Sequence, residues 1–390
     1  MAIRSIKEAQ VDGKTVFVRV DFNTPMRNGL ISDDSRIVAA LPTLNLLRDN
    51  GARVIVASHL GRPAGKVIDD LRIEPVRIRV SELLEVNVTS AGGPNGSSPV
   101  KTLERLESNG VALLENLRFD PGEENNNPEF SRHLASLADL YVNDAFGAAH
   151  RAHASTTGIT THLPSYAGLL MEKEINMLGN SLNRSKGASV AVVGGAKVAD
   201  KIHVLKNLTS KVDTILIGGG MLAAFLIANN RSGGAAEIKS EEVGAAKNLL
   251  DAGGAQVVLP ADVVTGRTFQ QNSIPTVYQA TNVPHDALIM DIGPRATKEY
   301  ARILGIANTI LWNGPMGVFE WEAFSKGSIG VARAIAANLK ATSVIGGGST
   351  AEIVKSQNLS KQITHVSTGG GASLEYLEGK ILPGVAALDW

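Results

Sequence analysis

Cysteine is absent from the 390 residues of this chain, which excludes disulfides, thiolate nucleophiles and sulfur-ligated metals together. Net charge is absent as well. Lys plus Arg and Asp plus Glu stand at 38 each, so no overall field draws nucleic acid or a membrane surface, and any basic patch must be local. No apolar run approaches the ~20 residues of a membrane span. The start, Met1-Ala2-Ile3-Arg4-Ser5, carries neither an apolar stretch nor a cleavage pattern, so a cytoplasmic protein is expected. Length and an apolar share of 44% favour two domains, each with its own core, over one.

Glycine, by contrast, is abundant at 40 residues, and it gathers in tight clusters after short apolar runs. Those runs read as buried parallel strands: Thr15-Val16-Phe17-Val18-Arg19-Val20, Arg53-Val54-Ile55-Val56-Ala57, Val111-Ala112-Leu113-Leu114 and Leu140-Tyr141-Val142 in the first half. Helical stretches separate them. One covers 35–50, with Asp33 and Asp34 ahead of it and Gly51 as its stop. The second half repeats the style at 189–193, 214–217, 256–259, 287–290, 309–312 and 342–345, read as a second sheet. Residues 166–182 carry an apolar pattern that predicts a helix bridging the halves. The fold class expected is α/β, with two doubly wound parallel-sheet domains joined by that helix.

Ligands of open α/β sheets sit beyond the carboxyl ends of the strands. In the first half those ends are rich in side chains: Asp21-Phe22-Asn23, Ser58-His59-Leu60-Gly61-Arg62, Glu115-Asn116-Leu117-Arg118 and Asn143-Asp144-Ala145, leading to His150-Arg151-Ala152-His153. A lone arginine is ordinarily a solvated surface group or an ion-pair partner. Arg36, Arg62, Arg118 and Arg151 arriving at one sheet edge would instead form an anion pocket, with His59 adding a donor and Asp21 and Asn23 suiting a hydroxyl.

In the second half the strand ends are mostly backbone: Gly194-Gly195-Ala196-Lys197, Gly218-Gly219-Gly220, Asn313-Gly314-Pro315-Met316-Gly317, Gly346-Gly347-Gly348-Ser349-Thr350 and Thr368-Gly369-Gly370-Gly371. One such cluster is commonly just a tight turn, but several favour a nucleotide, because bare amides can approach phosphate oxygens and a following helix adds its positive end. The P-loop spacing is missing: Gly61-Arg62-Pro63-Ala64-Gly65-Lys66-Val67 has no hydroxyl after its lysine. No GxGxxG closes a first strand. Lys197 and Lys201, four apart at an expected helix start, would share one face and point at transferring phosphate, with Asp200 beside them.

At this point the residues resemble phosphoglycerate kinase over essentially the full length. The motifs that carry the likeness are VDFNTP at 20–25, SHLGRP at 58–63, LLENLRF at 113–119, NDAFGAAHRAHAS at 143–155, GGAKVADK at 194–201, NGPMGVFE at 313–320 and STGGGASLEYLEGKILPGV at 367–385. The resemblance implies reversible transfer of the terminal phosphoryl of ATP to the carboxylate of 3-phosphoglycerate, with Mg²⁺ accompanying ATP or ADP. It implies that Asp21, Asn23, Arg36, His59, Arg62, Arg118 and Arg151 hold phosphoglycerate. Gly195, Lys197, Lys201, Gly219, Asn313, Glu320, Gly347, Gly348, Ser349 and Thr350 would hold the nucleotide, Glu320 at its ribose. Arg36 and Lys197 would neutralise the moving phosphoryl group.

The resemblance also implies a monomer without nucleic-acid or membrane partners, and a tail folded back on the first domain. The expected domains are thus 1–170 with 376–390 for phosphoglycerate and 171–375 for the nucleotide, hinged near the bridging helix and around 370–385. One position departs from the family pattern. The aspartate expected to contact nucleotide-bound magnesium is Ser349 here, so no protein metal ligand is assigned. Paired α/β sheets with glycine turns also serve dinucleotide-dependent oxidoreductases and binding proteins that close on a metabolite.

Overall fold

The computed structural model describes residues 3–96, 98–182 and 187–389. Met1, Ala2, Ser97 and Trp390, all within the first expected domain, lie outside the described residues, as do 183–186. The chain divides into two compact units: unit 1 runs to Ile175 and resumes at Ile381, and unit 2 is Asn176–Lys380. Each is built around its own sheet.

Unit 1 contains β1 (Thr15–Arg19), a small hairpin of β2 (Met26–Arg27) and β3 (Leu30–Ile31), then β4 (Arg53–Ala57), β5 (Val88–Gly92), β6 (Val111–Leu114), β7 (Leu140–Asn143) and β8 (Ser165–Ala167). Its main sheet is six-stranded and parallel, in the order β5-β6-β4-β1-β7-β8. Val16 pairs with Val54 and Val18 with Val56, and all of these are fully buried because helices cover both faces. The chain leaves β1 toward β4 on one side and returns at β7 on the other, so the switch point lies at β1. The helix Ser35–Asp49 packs Ile37, Ala40, Leu44 and Leu47 inward, one helical face. Gly51, at φ 80°, stops it by donating to Arg48 O at 3.0 Å.

In unit 2 the strands are β9 (Ser189–Val193), β10 (Thr214–Ile217), β11 (Gln256–Val258), β12 (Asp262–Gly266), β13 (Thr276–Gln279), β14 (Leu288–Ile292), β15 (Thr309–Asn313), β16 (Thr342–Gly346) and β17 (His365–Val366). The parallel sheet runs β11-β10-β9-β15-β16-β17, which puts its switch point between β9 and β15. One sequence expectation fails here. The apolar run 287–290 does not join this sheet; β14 pairs antiparallel with β12 in a separate three-stranded sheet, β13-β12-β14. The companion strand β13 is mostly exposed, so it offers no buried apolar run to read.

The bridging helix also starts later than its pattern suggests, at Leu169–Leu182, because Tyr166 belongs to β8. Its start is fixed by tertiary caps: Leu169 N donates to Thr43 Oγ1 at 2.9 Å, and Leu170 N and Met171 N donate to Asp144 Oδ1 at 2.9 and 3.0 Å. The tail returns to unit 1. Gly384 N donates to Ala149 O at 2.8 Å, Asn143 Nδ2 donates to Gly384 O at 3.2 Å, and Ile3 bridges Asp389.

Buried aspartates cap helices in unit 2 as well. Asp262 accepts from Arg295 N and Ala296 N, and Asp291 accepts from Gly327 N at 2.7 Å and Ile292 N at 2.9 Å. Burial pushes the Asp291 carboxyl up to about 7 against those two donors. The native state then holds a proton that the unfolded chain releases. This contribution to stability is complete below the unfolded value of 3.8 and is lost as pH rises through about 7. Between about pH 4 and pH 7, Asp291→Asn is therefore expected to lose less melting temperature than the parent protein. Melting curves that shift in parallel would show that this carboxyl is not responsible.

Candidate active site

The strand ends of unit 1 bring basic groups together around Asp21 and His59. Arg36, in the first turn of the helix Ser35–Asp49, donates from Nη1 to Asp21 Oδ2 at 2.9 Å and to Asn23 O at 3.2 Å. Asn23 Oδ1 in turn accepts from Gly61 N at 2.9 Å, and Arg118 Nη1 donates to Gly61 O at 2.7 Å. Gly61 is thereby clamped from two sides, which positions the exposed Arg62 beside it. Arg118 is itself buried and paired with Glu124 at 3.1 Å, while Arg151 Nε bonds His150 Nε2 at 3.1 Å.

Electrostatics shows how closely these groups are gathered. Burial first, then Arg19, Arg118, Arg36 and His153, push the His59 pKa well below its ordinary value, so the ring is neutral. Burial likewise lowers Arg118, with Arg151 and Arg19 repelling it and Glu124 and Glu123 opposing them. A dense positive field with a neutral imidazole in its midst suits a small polyanion. Sequence reasoning missed Arg19, Glu123 and His153, all buried beneath this pocket. A visible signal existed for Arg19: a charge inside Val18-Arg19-Val20, a strand buried on both faces, requires a partner.

In unit 2 the glycine turns meet where β9, β10 and β15 end. Gly194 N donates to Asn313 O at 3.0 Å, Gly219 N to Met316 O at 2.8 Å, and Met221 N to Gly195 O at 3.1 Å. Only glycine fits at 219: φ is +73°, and a Cβ would stand 2.6 Å from Gly195 N and O. Lys201 Nζ donates to Asn313 Oδ1. Burial pulls its pKa below the ordinary value, with Asp200 and Glu378 opposing.

Lys197 and Lys201 do not share a helix face as expected, because the helix begins only at Ile202. Both lysines lie in the turns after Gly194, Lys197 exposed and Lys201 half-buried. Gly195, at φ +131°, sends the chain out as a loop in place of a helical turn.

The helix Gly348–Ser356 follows β16 as expected. Gly347 sits at φ +93°, nothing stands within 4 Å of where a Gly348 Cβ would be, and Ser349 is exposed, so the first turn opens outward. The Thr350 hydroxyl is spent inside the fold: it is fully buried and donates to Gly346 O at 2.5 Å. Beside the glycines lies a cavity of about 430 Å³, walled by Gly219, Ala223, Phe269, Leu288, Met290 and Val318, with Lys197 and Glu320 at its edge. Of this apolar wall only Val318 falls in a sequence motif; Ala223, Phe269, Leu288 and Met290 lie in none. Among the described residues no three of His, Asp or Glu converge as a metal-binding group, and no helix is long and apolar enough to cross a membrane.

Guanidinium groups for one anion and bare amides for another are the parts of a phosphotransferase that works by stabilising charge. Likeness to known proteins narrows that class. The family model described as phosphoglycerate kinase matches residues 6–380. A curated phosphoglycerate kinase of Moorella thermoacetica is 48% identical over 391 aligned positions, covering 100% of this chain and 99% of that one. Among solved structures, phosphoglycerate kinase from Coxiella burnetii superposes with a TM-score of 0.90 at 39% identity, over 99% of each chain. That from Pyrococcus horikoshii OT3 gives 0.86 at 34% identity, over 99% of this chain and 98% of its own. The chain belongs to the phosphoglycerate kinase family.

Proposed function

We propose that the family reaction, reversible phosphoryl transfer between ATP and the carboxylate of 3-phosphoglycerate, is divided between the units. Unit 1 holds phosphoglycerate and unit 2 the nucleotide. The observation that carries the first half is the crowding of Arg36, Arg118 and buried Arg19 around a neutral His59. Arg62, Arg118, Arg151 and His59 take the substrate's anionic oxygens, and Asp21 and Asn23 its hydroxyl. In unit 2 the adenine enters the apolar cavity and the ribose reaches Glu320. The phosphates lie on Gly195, Gly219, Lys201, Asn313 and the first-turn amides of Gly347, Gly348, Ser349 and Thr350.

The acceptor carboxylate is ionised at neutral pH, so no general base is needed. One of its oxygens attacks the terminal phosphorus in line, the bond to the bridging oxygen breaks, and ADP leaves. Arg36 and Lys197 offset the charge that spreads over the moving phosphoryl oxygens. Substrates held on separate units have to be brought together and shielded from water, so closure during turnover is part of this reading. Mg²⁺ accompanying the nucleotide would supply further charge neutralisation, and the Ser349 hydroxyl and exposed Asp200 would be the groups to hold it, weaker than a carboxylate at 349. Ser349→Asp is expected to lower the Mg²⁺ concentration for half-maximal rate several-fold, and an unchanged requirement would remove this account.

A coupled assay with ATP, 3-phosphoglycerate and Mg²⁺ tests the whole reading. Turnover is expected; NADH binding without ADP binding would replace it with an oxidoreductase. A cytoplasmic monomer completes the proposal, the monomer being checked by sedimentation.

A further inference from the structure

Beneath the phosphoglycerate pocket, Arg19 reaches no solvent at all, yet its guanidinium ends against His59. Its contacts are directional. Nε donates to Ser155 Oγ at 2.7 Å, and that hydroxyl donates onward to Glu123 Oε1 at 2.6 Å. Nη1 donates to Val20 O, and Nη2 stands 3.2 Å from His59 Nδ1. Glu123, also fully buried, closes the arrangement: it lies 3.8 Å from Arg19, accepts from Ser155 N at 3.0 Å, and lies 3.7 Å from His153 Nδ1.

A guanidinium has donors and no acceptor, and it does not deprotonate in proteins. Whatever stands at hydrogen-bond distance from Nη2 must therefore present a lone pair. We propose that Arg19 is a positioning residue that selects the tautomer of His59, holding Nδ1 bare so that the ring carries its single proton on Nε2, as a donor to the anionic substrate. The inference rests on the placement of phosphoglycerate in unit 1. Asp21, whose Oδ1 lies 4.0 Å from the same Nδ1, would favour the opposite tautomer or a charged ring. It is outmatched. The groups facing His59 are Arg19, Arg36, Arg118, His153 and Asp21, cationic on balance, and burial adds to their effect.

The consequence for the reaction is a donor that costs no protonation. A charged imidazole would have to be stabilised among arginines, whereas a neutral ring of fixed tautomer contributes one aimed N–H.

Nitrogen-15 spectra of histidine-labelled, ligand-free protein read this directly. Between about pH 6 and pH 8 His59 is expected to show a protonated Nε2 and a bare Nδ1. A protonated Nδ1, or a doubly protonated ring at neutral pH, overturns the proposal. Arg19→Met is expected to give mixed tautomers and raise the KM for 3-phosphoglycerate about tenfold while the KM for ATP stays put. Arg19→Lys, which keeps a donor, restores part of both. Should Arg19→Met not fold, Ser155→Ala loosens the guanidinium without removing it, and an unchanged single tautomer there counts against selection by Arg19. Adding 3-phosphoglycerate separates the two readings. A ring with the assigned tautomer that ignores the substrate supports Arg19 as selector and refutes the placement of phosphoglycerate beside His59.

Discussion

Replacing Lys197 with alanine is expected to lower kcat by about two to three orders of magnitude, with ADP affinity changed far less. The expectation follows from where the lysine stands. It is exposed, at the edge of the apolar cavity and beyond the glycine turn at 194–195, while Lys201 is already tied to Asn313. Lys201 is thus tied into the glycine turns, and on the proposed reading Lys197 is the lysine of the pair that follows charge as it moves. Single-turnover rates and ADP titrations on the same preparation separate the roles: loss of both together would mark Lys197 as a binding group only.

Arg36→Ala should be equally severe on kcat, for a different reason. Its guanidinium spans Asp21 and Asn23, so on the proposed placement of the substrate its removal takes away a charge beside the acceptor carboxylate and frees the Asp21 carboxylate to repel it. The KM for 3-phosphoglycerate is expected to rise alongside the loss of rate, and the KM for ATP to hold. Arg36→Ala with Asp21→Asn should recover part of the KM and none of the kcat. Full recovery of rate in the double variant would show that Arg36 acts only by masking Asp21.

Much of this was legible because parallel strands buried on both faces leave unbroken apolar runs, and the residues just after them are site candidates by geometry alone. That logic made candidates of Asp21, His59, Arg118, Asn313 and the turn at 346–350. It failed where tertiary partners decide. Strand β5, Thr89 and Ser90 included, pairs only because β6 lies beside it. The start of the bridging helix depends on Thr43 and Asp144, distant in sequence. Lys197 and Lys201 looked helical by spacing, but a glycine at φ +131° redirects the chain before a helix can form. Glu123 gave no hint, since its meaning comes from Arg19, Ser155 and His153 converging on it.

The tail that returns to unit 1 has a consequence for the order in which the protein can be made. Unit 2 is one continuous stretch, Asn176–Lys380, and every residue it needs emerges from the ribosome before the tail does. Unit 1 emerges first but has to wait. The segment from Asn143, at the end of β7, to Ala149, which leads toward Arg151, lacks its bonds to Gly384 until residues 381–389 are synthesised. The half carrying the arginine pocket is therefore begun first and completed last, and a nascent chain can finish its glycine-lined unit while that pocket is still open to proteolysis.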